Sequence, residues 1–193
     1  IYTYLGDHHY NYKVNQFVPF STTWPSKREE NVIQLIEEEL KNAVQKSGFK
    51  MGAVNIEVRV NRENKIYIME IGPRSGGNYT PQVINYSSGF DMVSALLDSY
   101  EGKSVKIPDN LFLPSAYYAL HTDNEGILKE IIIRNEIKPF IKEYHQYKKF
   151  GDNVSSFQGA NAALGIVVLQ FNSVDEMEFY IENMDKYIEI KVD

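Results

Sequence analysis

Two glutamates, Glu57 and Glu70, lie on neighbouring segments that have the pattern of one β-hairpin. Residues 54–60 alternate between apolar and polar side chains, residues 62–65 are polar and short enough for a loop, and residues 66–71 form the return strand. In antiparallel register around this loop, Glu57 faces Glu70, and their Cβ atoms lie roughly 5 Å apart. Like charges opposed in this way destabilise a sheet unless a positive charge lies between them. Because magnesium prefers oxygen ligands, the pair predicts a magnesium site.

The same register assigns the two faces of the hairpin. Arg59 is expected opposite Ile68, and the two glutamates are expected on the face that is not apolar. The predicted apolar face consists of Val54, Ile56, Val58 and Val60 on the first strand and Tyr67, Met69 and Ile71 on the second. Two alternatives remain open at this point. Arg59 could satisfy Glu57 through a salt bridge, and a slip of one residue would send Glu70 to the buried face.

The loop after the hairpin, residues 73–78, has the composition of an anion-binding segment. Arg74 supplies a fixed cation that suits bidentate contact with phosphate or carboxylate oxygens. Gly76 and Gly77 let backbone N–H groups approach an anion closely. The loop also leads into a helix start near Thr80, where N–H groups favour negative charge. A simple turn is the alternative explanation of the glycine pair.

Composition narrows the class of protein. Of the 193 residues, 43% are hydrophobic, which is enough for a packed core. The net charge of -6, with Lys and Arg scattered, argues against a nucleic-acid partner. The absence of cysteine excludes disulfides and thiolate chemistry. No apolar run approaches the roughly 20 residues of a membrane helix and no signal peptide is recognisable, so we expect no membrane partner and a cytoplasmic location.

The periodicity predicts an α+β chain that divides near residue 108, into a first unit at 1–107 with the metal site and a small αβ unit at 108–193. Thr80 is expected as a helix N-cap, with Pro81 at the first helical position. The other predicted elements are a strand at 1–5, a loop at 6–15, helices at 26–48, 80–88 and 91–102, a second hairpin around 123–126, a helix or turn at 135–143, a strand at 165–171, a helix at 173–184 and a strand at 187–192.

One long run of residues resembles a known family. The run GAVNIEVRVNRENKIYIMEIGPRSGGNYTPQVINYSSGFDMVSALLDSYEGKSV is similar to the metal-binding end of the ATP-grasp superfamily. It is nearest to the branch that contains the carbamoyl phosphate synthase large subunit and the L-amino acid ligases. In that branch two acidic or amide ligands on adjacent strands are followed by an E-[IV]-N-P-R type motif, a glycine-containing loop and a helix. The likeness is strong over residues 50–105 and looser over 15–48 and 108–193.

The resemblance implies a fold and a set of site residues. The implied fold is an ATP-grasp carboxy-terminal subdomain, an antiparallel sheet with helices, followed by a small αβ domain. Glu57 and Glu70 match the metal ligands and would bind magnesium or manganese that bridges the phosphates of ATP. Arg74 matches the motif arginine and would be catalytic by steadying the transferred phosphoryl group. The residues expected to contact nucleotide or substrate are Glu57, Glu70, Arg74, Ser75, Gly76, Gly77 and Asn78.

One position departs from the family pattern. Gly72 stands where many members have an asparagine that usually supplies a further metal ligand. One metal in place of two, a water in place of the side chain, and altered activity are all open. Asn78 is a candidate to compensate.

The implied activity is that of an ATP-dependent carboxylate–amine ligase. A small carboxylate attacks the γ-phosphate of ATP, which gives an acyl phosphate and ADP, and an amine then displaces phosphate. The family's phosphate-covering loop and ATP-contacting lysines would precede Ile1, so the chain is expected to need that amino-terminal half and to be inactive alone. A non-catalytic ATP-grasp module that binds nucleotide or a partner is one alternative, and an unrelated αβ domain is another. Whether the protein is a homo-oligomer is left open.

Overall fold

The computed structural model describes residues 1–13, 15–108 and 112–193. Its strands are β1 (Asp7–Asn11), β2 (Asn15–Trp24), β3 (Asn55–Val60), β4 (Ile66–Gly72), β5 (Ser115–Leu120), β6 (Gly126–Ile133), β7 (Ile141–Gln146), β8 (Asn153–Val154), β9 (Gly165–Gln170) and β10 (Ile188–Val192). Its α-helices are α1 (Glu30–Lys46), α2 (Thr80–Ser88), α3 (Met92–Tyr100) and α4 (Val174–Glu182).

The strands of the described residues form three antiparallel sheets. A central sheet has the order β1-β2-β5-β9-β7, a second has the order β10-β6-β8, and β3 pairs with β4 alone. This arrangement confirms the predicted α+β class with antiparallel sheets and helices. None of the described helices is both long and apolar enough to cross a membrane.

The central sheet carries an apolar layer on each face. On one face, Val167 and Leu169 of β9 belong to a cluster that includes residues of α4 and of the second sheet. On the other face, Ile166 and Val168 of β9 share a cluster with Val83 of α2. Because β9 is covered on both faces, its sequence is a continuous apolar run without polar alternation.

Helix α1 holds the β3–β4 hairpin. Val32, Ile36 and Leu40 recur every four residues and form one buried stripe along the helix. The hairpin side chains that pack against this stripe are Ile56, Val58, Val60, Ile66 and Ile68. The apolar face of the hairpin is therefore fixed against α1, which leaves its polar face to the opposite side.

The amino-terminal strand lies later in the chain than predicted. Residues 1–5 form no strand, and β1 occupies part of the segment that was predicted as a loop. Its histidines are bonded to β2 through side chains: His8 Nδ1 is 2.6 Å from Thr22 Oγ1, and His9 Nε2 is 3.0 Å from Thr23 Oγ1. A strand stabilised by such polar pairs lacks the apolar alternation on which the prediction depended.

The start of α1 is also later than predicted. The helix begins at Glu30, not near residue 26. The Ser26 hydroxyl donates to Asp7 Oδ1 at 3.0 Å, and the Lys27 amide donates to Asp7 Oδ2 at 2.8 Å. These bonds tie residues 26 and 27 to β1, so the helix starts only beyond them.

One prediction for the second half of the chain is wrong and another is right only in part. The segments on either side of residues 123–126 are strands, but they form no hairpin, because β5 pairs with β2 and β9 while β6 pairs with β8 and β10. The predicted helix or turn at 135–143 is a turn and a 3-10 turn over residues 135–140, but residues 141–143 already belong to β7. In both places the partner of the strand is distant in sequence, so local patterns could not identify it.

The division near residue 108 stays a prediction about independent units. Strands β1 and β2 precede it, whereas β5, β7 and β9 follow it, and all five belong to the central sheet. Residues 21–24 of β2 pair directly with residues 115–118 of β5. A chain cut at residue 108 would therefore lose this pairing.

Candidate functional site

Glu57 and Glu70 lie directly opposite each other in the β3–β4 hairpin. This pairing confirms the predicted register at the position on which the metal hypothesis depends. Directly opposed residues share a face, with Cβ atoms roughly 5 Å apart. Glu57 is half-buried and Glu70 is exposed, so the pair lies where the hairpin surface meets solvent.

The predicted register continues beyond this pair, with Ile56 opposite Ile71, but between the pair and the hairpin loop it is wrong by one residue, because β4 contains a bulge. Glu57 pairs with Glu70, but the next residue of β3, Val58, pairs with Ile68, and Met69 is left as the extra residue. The bulge reverses the faces of β4 between residue 69 and the loop. Tyr67 and Met69, which were expected in the apolar face, are 44% and 60% exposed, and Ile66 and Ile68 pack against α1 in their place. Ile71, beyond the bulge, keeps its predicted position opposite Ile56 and is 46% exposed.

Arg59 does not neutralise Glu57 in the described part of the chain, where no ion pair joins them. The Arg59 guanidinium lies over the Tyr10 ring, with Cζ 5.4 Å from the ring centroid. Arg74 is the arginine that approaches the pair: its Nη2 is 3.9 Å from Glu70 Oε1. Both of these side chains are more than half exposed, and such surface ion pairs contribute only about 0–1 kcal/mol.

The Glu57 carboxylate faces side chains from the central sheet. Burial lowers the pKa of His8, and the negative charge of Glu57 partly opposes that shift. Burial raises the pKa of Tyr10 and of Tyr117, and Glu57 adds to the increase at both. Glu57 therefore lies close enough to β1 and β5 for its charge to act on them.

Hydrogen bonds join His8, Thr22 and Tyr117, the side chains of the central sheet that face Glu57. Thr22 Oγ1 donates to the Tyr117 hydroxyl at 2.9 Å, so its oxygen is free to accept from His8 Nδ1 at 2.6 Å. The Asn78 side chain lies near the Tyr117 hydroxyl, and both Thr22 and Asn78 limit the rise in the pKa of Tyr117. His8, Thr22 and Tyr117 thus form a floor that faces Glu57, and Asn78, at the end of the glycine loop of residues 73–78, lies beside it.

A cleft of about 1410 Å³ lies beside this floor. Its walls include Glu57, Arg59, His8, Tyr10 and Ser75. Glu70 and Arg74 are exposed and are not part of its lining. Of the predicted site residues, Glu57 and Ser75 therefore face the cleft, while Glu70 is joined to them through its pairing with Glu57.

The glycine loop owes its shape mainly to one of its two glycines. Gly76 has φ +94°, and a Cβ there would lie 2.9 Å from Thr80 Cβ, so only glycine fits. Gly77 has no such requirement, and a Cβ there would meet open space. The helix start differs by one residue from the prediction, because Tyr79 is the N-cap and Thr80 is the first helical residue. The Thr80 hydroxyl donates to the Gly77 carbonyl at 2.6 Å, so it does not cap the helix.

Sequence reasoning missed the side chains that surround Glu57. His8 and Tyr10 fell in a predicted loop, and Thr22 and Tyr117 showed no local signal. A weak signal existed, because His8, Tyr10 and Tyr12 alternate in a polar strand pattern. Their approach to Glu57 depends on pairing between residues far apart in sequence.

The donor set of the hairpin fits one hard divalent cation. Two opposed carboxylates that share a face offer oxygen ligands and negative charge, and magnesium commonly takes its remaining ligands from water and phosphate. No group of three or more His, Cys, Asp or Glu residues that could hold a metal occurs in residues 1–13, 15–108 and 112–193. A metal at this hairpin would therefore complete its shell from outside the chain.

The comparisons give matches at the level of structure. No family model and no curated protein matches the chain. An L-amino acid ligase from Bacillus licheniformis superposes with a TM-score of 0.80 at 19% identity and covers 92% of this chain and 45% of its own. A phosphoribosylglycinamide synthetase from Anaerococcus prevotii gives 0.78 at 20% identity, with 97% and 48% covered. A biotin carboxylase from Campylobacter jejuni, in a complex with beta-gamma-ATP, gives 0.64 at 14% identity, with 90% and 40% covered.

These similarities define the fold of the chain. The matched structures are ATP-grasp enzymes, and the chain has the ATP-grasp fold over the part that it shares with them, as the sequence resemblance implied. The chain spans less than half the length of the enzymes it matches. Because identities of 20% or less show the fold alone, the function must be argued from the site.

The buried histidines predict a loss of stability in mild acid. Burial lowers the pKa of His8, His9 and His121 below 6.5, so the unfolded chain binds protons more readily than the folded chain. Their contribution is fully present above pH 6.5 and decreases as the pH falls below it, by up to about 1.4 kcal/mol per pH unit for each proton taken up. We expect the free energy of unfolding, measured in urea between pH 7.5 and 5.5, to fall with pH.

His121 provides the control for this pH dependence. Its Nδ1 bonds the Ala119 carbonyl at 2.8 Å, a role that a glutamine amide can fill. The His121→Gln variant should therefore show a shallower slope over the same pH range. An unchanged slope in this variant would contradict the assignment of part of the effect to His121.

Proposed function

We propose that this chain is the carboxy-terminal part of an ATP-grasp ligase and that Glu57 and Glu70 hold Mg²⁺, or Mn²⁺, against the phosphates of ATP. One observation carries the proposal: the two carboxylates are directly opposed on the polar face of the hairpin. The ATP-grasp fold supports it independently, because ATP-dependent ligation is the chemistry of the matched enzymes.

Charge explains why a cation belongs at this position. If the two carboxylates lie as close as their opposed Cβ atoms, roughly 5 Å, they repel each other by on the order of 1 kcal/mol in water and about 3 kcal/mol at an effective dielectric constant near 20. The Arg74 pair with Glu70 recovers at most about 1 kcal/mol, because both side chains are exposed. A divalent cation offsets both carboxylates at once, so it is the stronger source of stabilisation.

The residues of the chain would act mainly by position and charge. When bound, the divalent cation neutralises phosphate charge. Arg74 would contact the phosphoryl group in transfer to the substrate carboxylate, where a guanidinium matches phosphate oxygens. Ser75, Gly76, Gly77 and Asn78 would present backbone and side-chain donors to the substrate or nucleotide.

The reaction that these roles support is carboxylate activation. A carboxylate oxygen attacks the γ-phosphate, ADP leaves, and an amine displaces phosphate from the resulting acyl phosphate. The carbamoyl phosphate synthase and L-amino acid ligase branch is the proposed relative, and the substrate is a small carboxylate. We further propose that an amino-terminal ATP-grasp half with ATP-contacting lysines acts with this chain, since the matched enzymes are about twice its length.

Gly72 favours a second candidate function. The chain lacks the further ligand that an asparagine would supply at this position, which fits a module that binds Mg-ATP or a partner without catalysis. The two candidates differ in one measurable result. Both predict a thermal shift of the full-length protein with Mg-ATP, but only the ligase releases ADP when candidate carboxylates are supplied.

The two glutamates predict a matched set of variants. In the full-length protein, Glu57→Gln and Glu70→Gln should each abolish Mg²⁺-dependent ADP release, because each removes one of the two charges that hold the cation. The amide keeps the shape of the side chain, so the fold should persist. Glu63→Gln, in the exposed hairpin loop, changes the same net charge and should behave as wild type. Near-normal ADP release by the Glu70→Gln enzyme would refute the assignment.

Gly72 allows the missing ligand to be restored. A Cβ at this position would lie 3.5 Å from Arg74 Nε and 3.7 Å from the Asn55 carbonyl oxygen, which are ordinary contacts, and its φ is not left-handed. Gly72→Asn should therefore fold and should lower the Mg²⁺ concentration that gives half-maximal ADP release. Gly72→Leu, which also fills the space but has no ligand atom, serves as the control. If both variants respond to Mg²⁺ like wild type, position 72 does not face the metal.

A further inference from the structure

The end of the glycine loop has an unusual backbone. Asn78 and Tyr79 are consecutive residues with φ of +50° and +59°, a left-handed conformation that side chains other than glycine adopt at a cost in free energy. Tyr79 is also the N-cap of α2, and its side chain makes no capping hydrogen bond. The conformation must therefore be held by contacts from outside the loop.

Tyr79 packs against the apolar cluster of Val83, Ile166 and Val168, and a further contact comes from strand β7. The His145 ring stacks on the Tyr79 ring, with centroids 3.9 Å apart and planes within 11° of parallel. His145 Nε2 is 2.7 Å from Glu143 Oε2, and Glu143 Oε1 accepts from the Tyr86 hydroxyl at 3.1 Å. The side chains of His145 and Glu143 are only 32% and 25% exposed. Because Tyr86 lies on α2, side chains of β7 contact both Tyr79 and the helix that follows it.

This cluster is continuous with the candidate metal site. Tyr79 follows Asn78, whose side chain lies near the Tyr117 hydroxyl and limits the rise in its pKa. The Tyr117 hydroxyl is bonded in turn to Thr22, and the charge of Glu57 acts on Tyr117. Holding the Tyr79 ring in place therefore also fixes the position of the neighbouring Asn78 beside Tyr117.

We propose that His145, supported by Glu143, is a positioning residue that holds the glycine loop in its binding geometry through the Tyr79 ring. This inference rests on the proposed function for its catalytic consequence. His145 is not part of the lining of the cleft and is not one of the proposed metal ligands. It acts by keeping Asn78 and Tyr79 left-handed, so that the loop presents the same donors to the substrate in each turnover. It also gives β7, which lies beyond residue 108, a part in the site.

The test compares ring stacking with simple packing in the full-length protein. His145→Leu removes the aromatic stack, whereas His145→Phe keeps the stack and loses only the bond to Glu143. Tyr144→Leu is the control, because Tyr144 is the neighbour on β7 whose partner Val167 belongs to the cluster on the opposite face of the sheet. Amide hydrogen exchange of residues 75–80 reports the loop, and the kinetics of ADP release report KM for the carboxylate and kcat.

The expected pattern separates the three variants. His145→Leu should raise amide exchange in the loop by about tenfold, near the upper end of what an aromatic pair contributes, and should raise KM for the carboxylate by a similar factor. His145→Phe should restore most of the loop protection and of the KM. Tyr144→Leu should leave both at the wild-type value. If His145→Leu leaves the loop protected, or if Tyr144→Leu loosens it equally, the proposal is overturned.

A second variant tests the loop without touching β7. Tyr79→Gly adopts the left-handed conformation without cost but has no ring for His145, so it should loosen the loop as His145→Leu does. A loop that stays protected in Tyr79→Gly would show that the backbone, and not the ring, sets the geometry. Hydrogen exchange needs no turnover. If the variants loosen the loop but the wild-type protein releases no ADP, the positioning role holds and the ligase assignment is rejected. If the wild type releases ADP and the loop stays protected in the variants, the ligase assignment holds and the positioning role is rejected.

Discussion

The repulsion between two carboxylates that the hairpin forces together is the constraint on which the rest of the site depends. The backbone pairing and the packing of the apolar face against α1 hold the Cβ atoms of Glu57 and Glu70 side by side on one face of the hairpin. Val32, Ile36 and Leu40 of α1 thereby decide which face carries the charges. An isolated two-stranded hairpin is only marginally stable, so the helix is what makes this repulsion tolerable. In the proposed function, this arrangement would prepare the pair to accept a cation before any ligand arrives.

The central sheet supplies the other wall of the site. Glu57 faces β1, β2 and β5, where His8, Thr22 and Tyr117 form a chain of hydrogen bonds, and Asn78 lies near the Tyr117 end of it. This wall includes residues from both sides of position 108, and β7 adds the His145 contact with Tyr79. Residues before and after position 108 therefore contribute to the same site, as they do to the same central sheet.

The sequence predicted the parts of the molecule whose contacts are local. The hairpin, the Glu57–Glu70 pair, the stripe on α1 and the buried run of β9 follow from periodicity, turn composition and length. The bulge at Met69 did not, because it adds one residue to β4 and so shifts the pairing between the bulge and the hairpin loop, which no periodicity reveals. β1 and β7 were missed for a different reason, because their side chains are polar and show no apolar alternation. β1 pairs with the next strand, β2, and β7 pairs with β9, and both lie at the edges of the central sheet.

The central claim is that Glu57 and Glu70 share one divalent cation, and anomalous X-ray diffraction tests it most directly. Crystals of the full-length protein grown with Mn²⁺ and a non-hydrolysable ATP analogue would give an anomalous peak at the metal. The account predicts a peak roughly 2 Å from a carboxylate oxygen of each glutamate, with phosphate oxygens of the analogue completing the shell. A peak bound to the phosphates alone, with the two side chains turned away from it, would contradict the account.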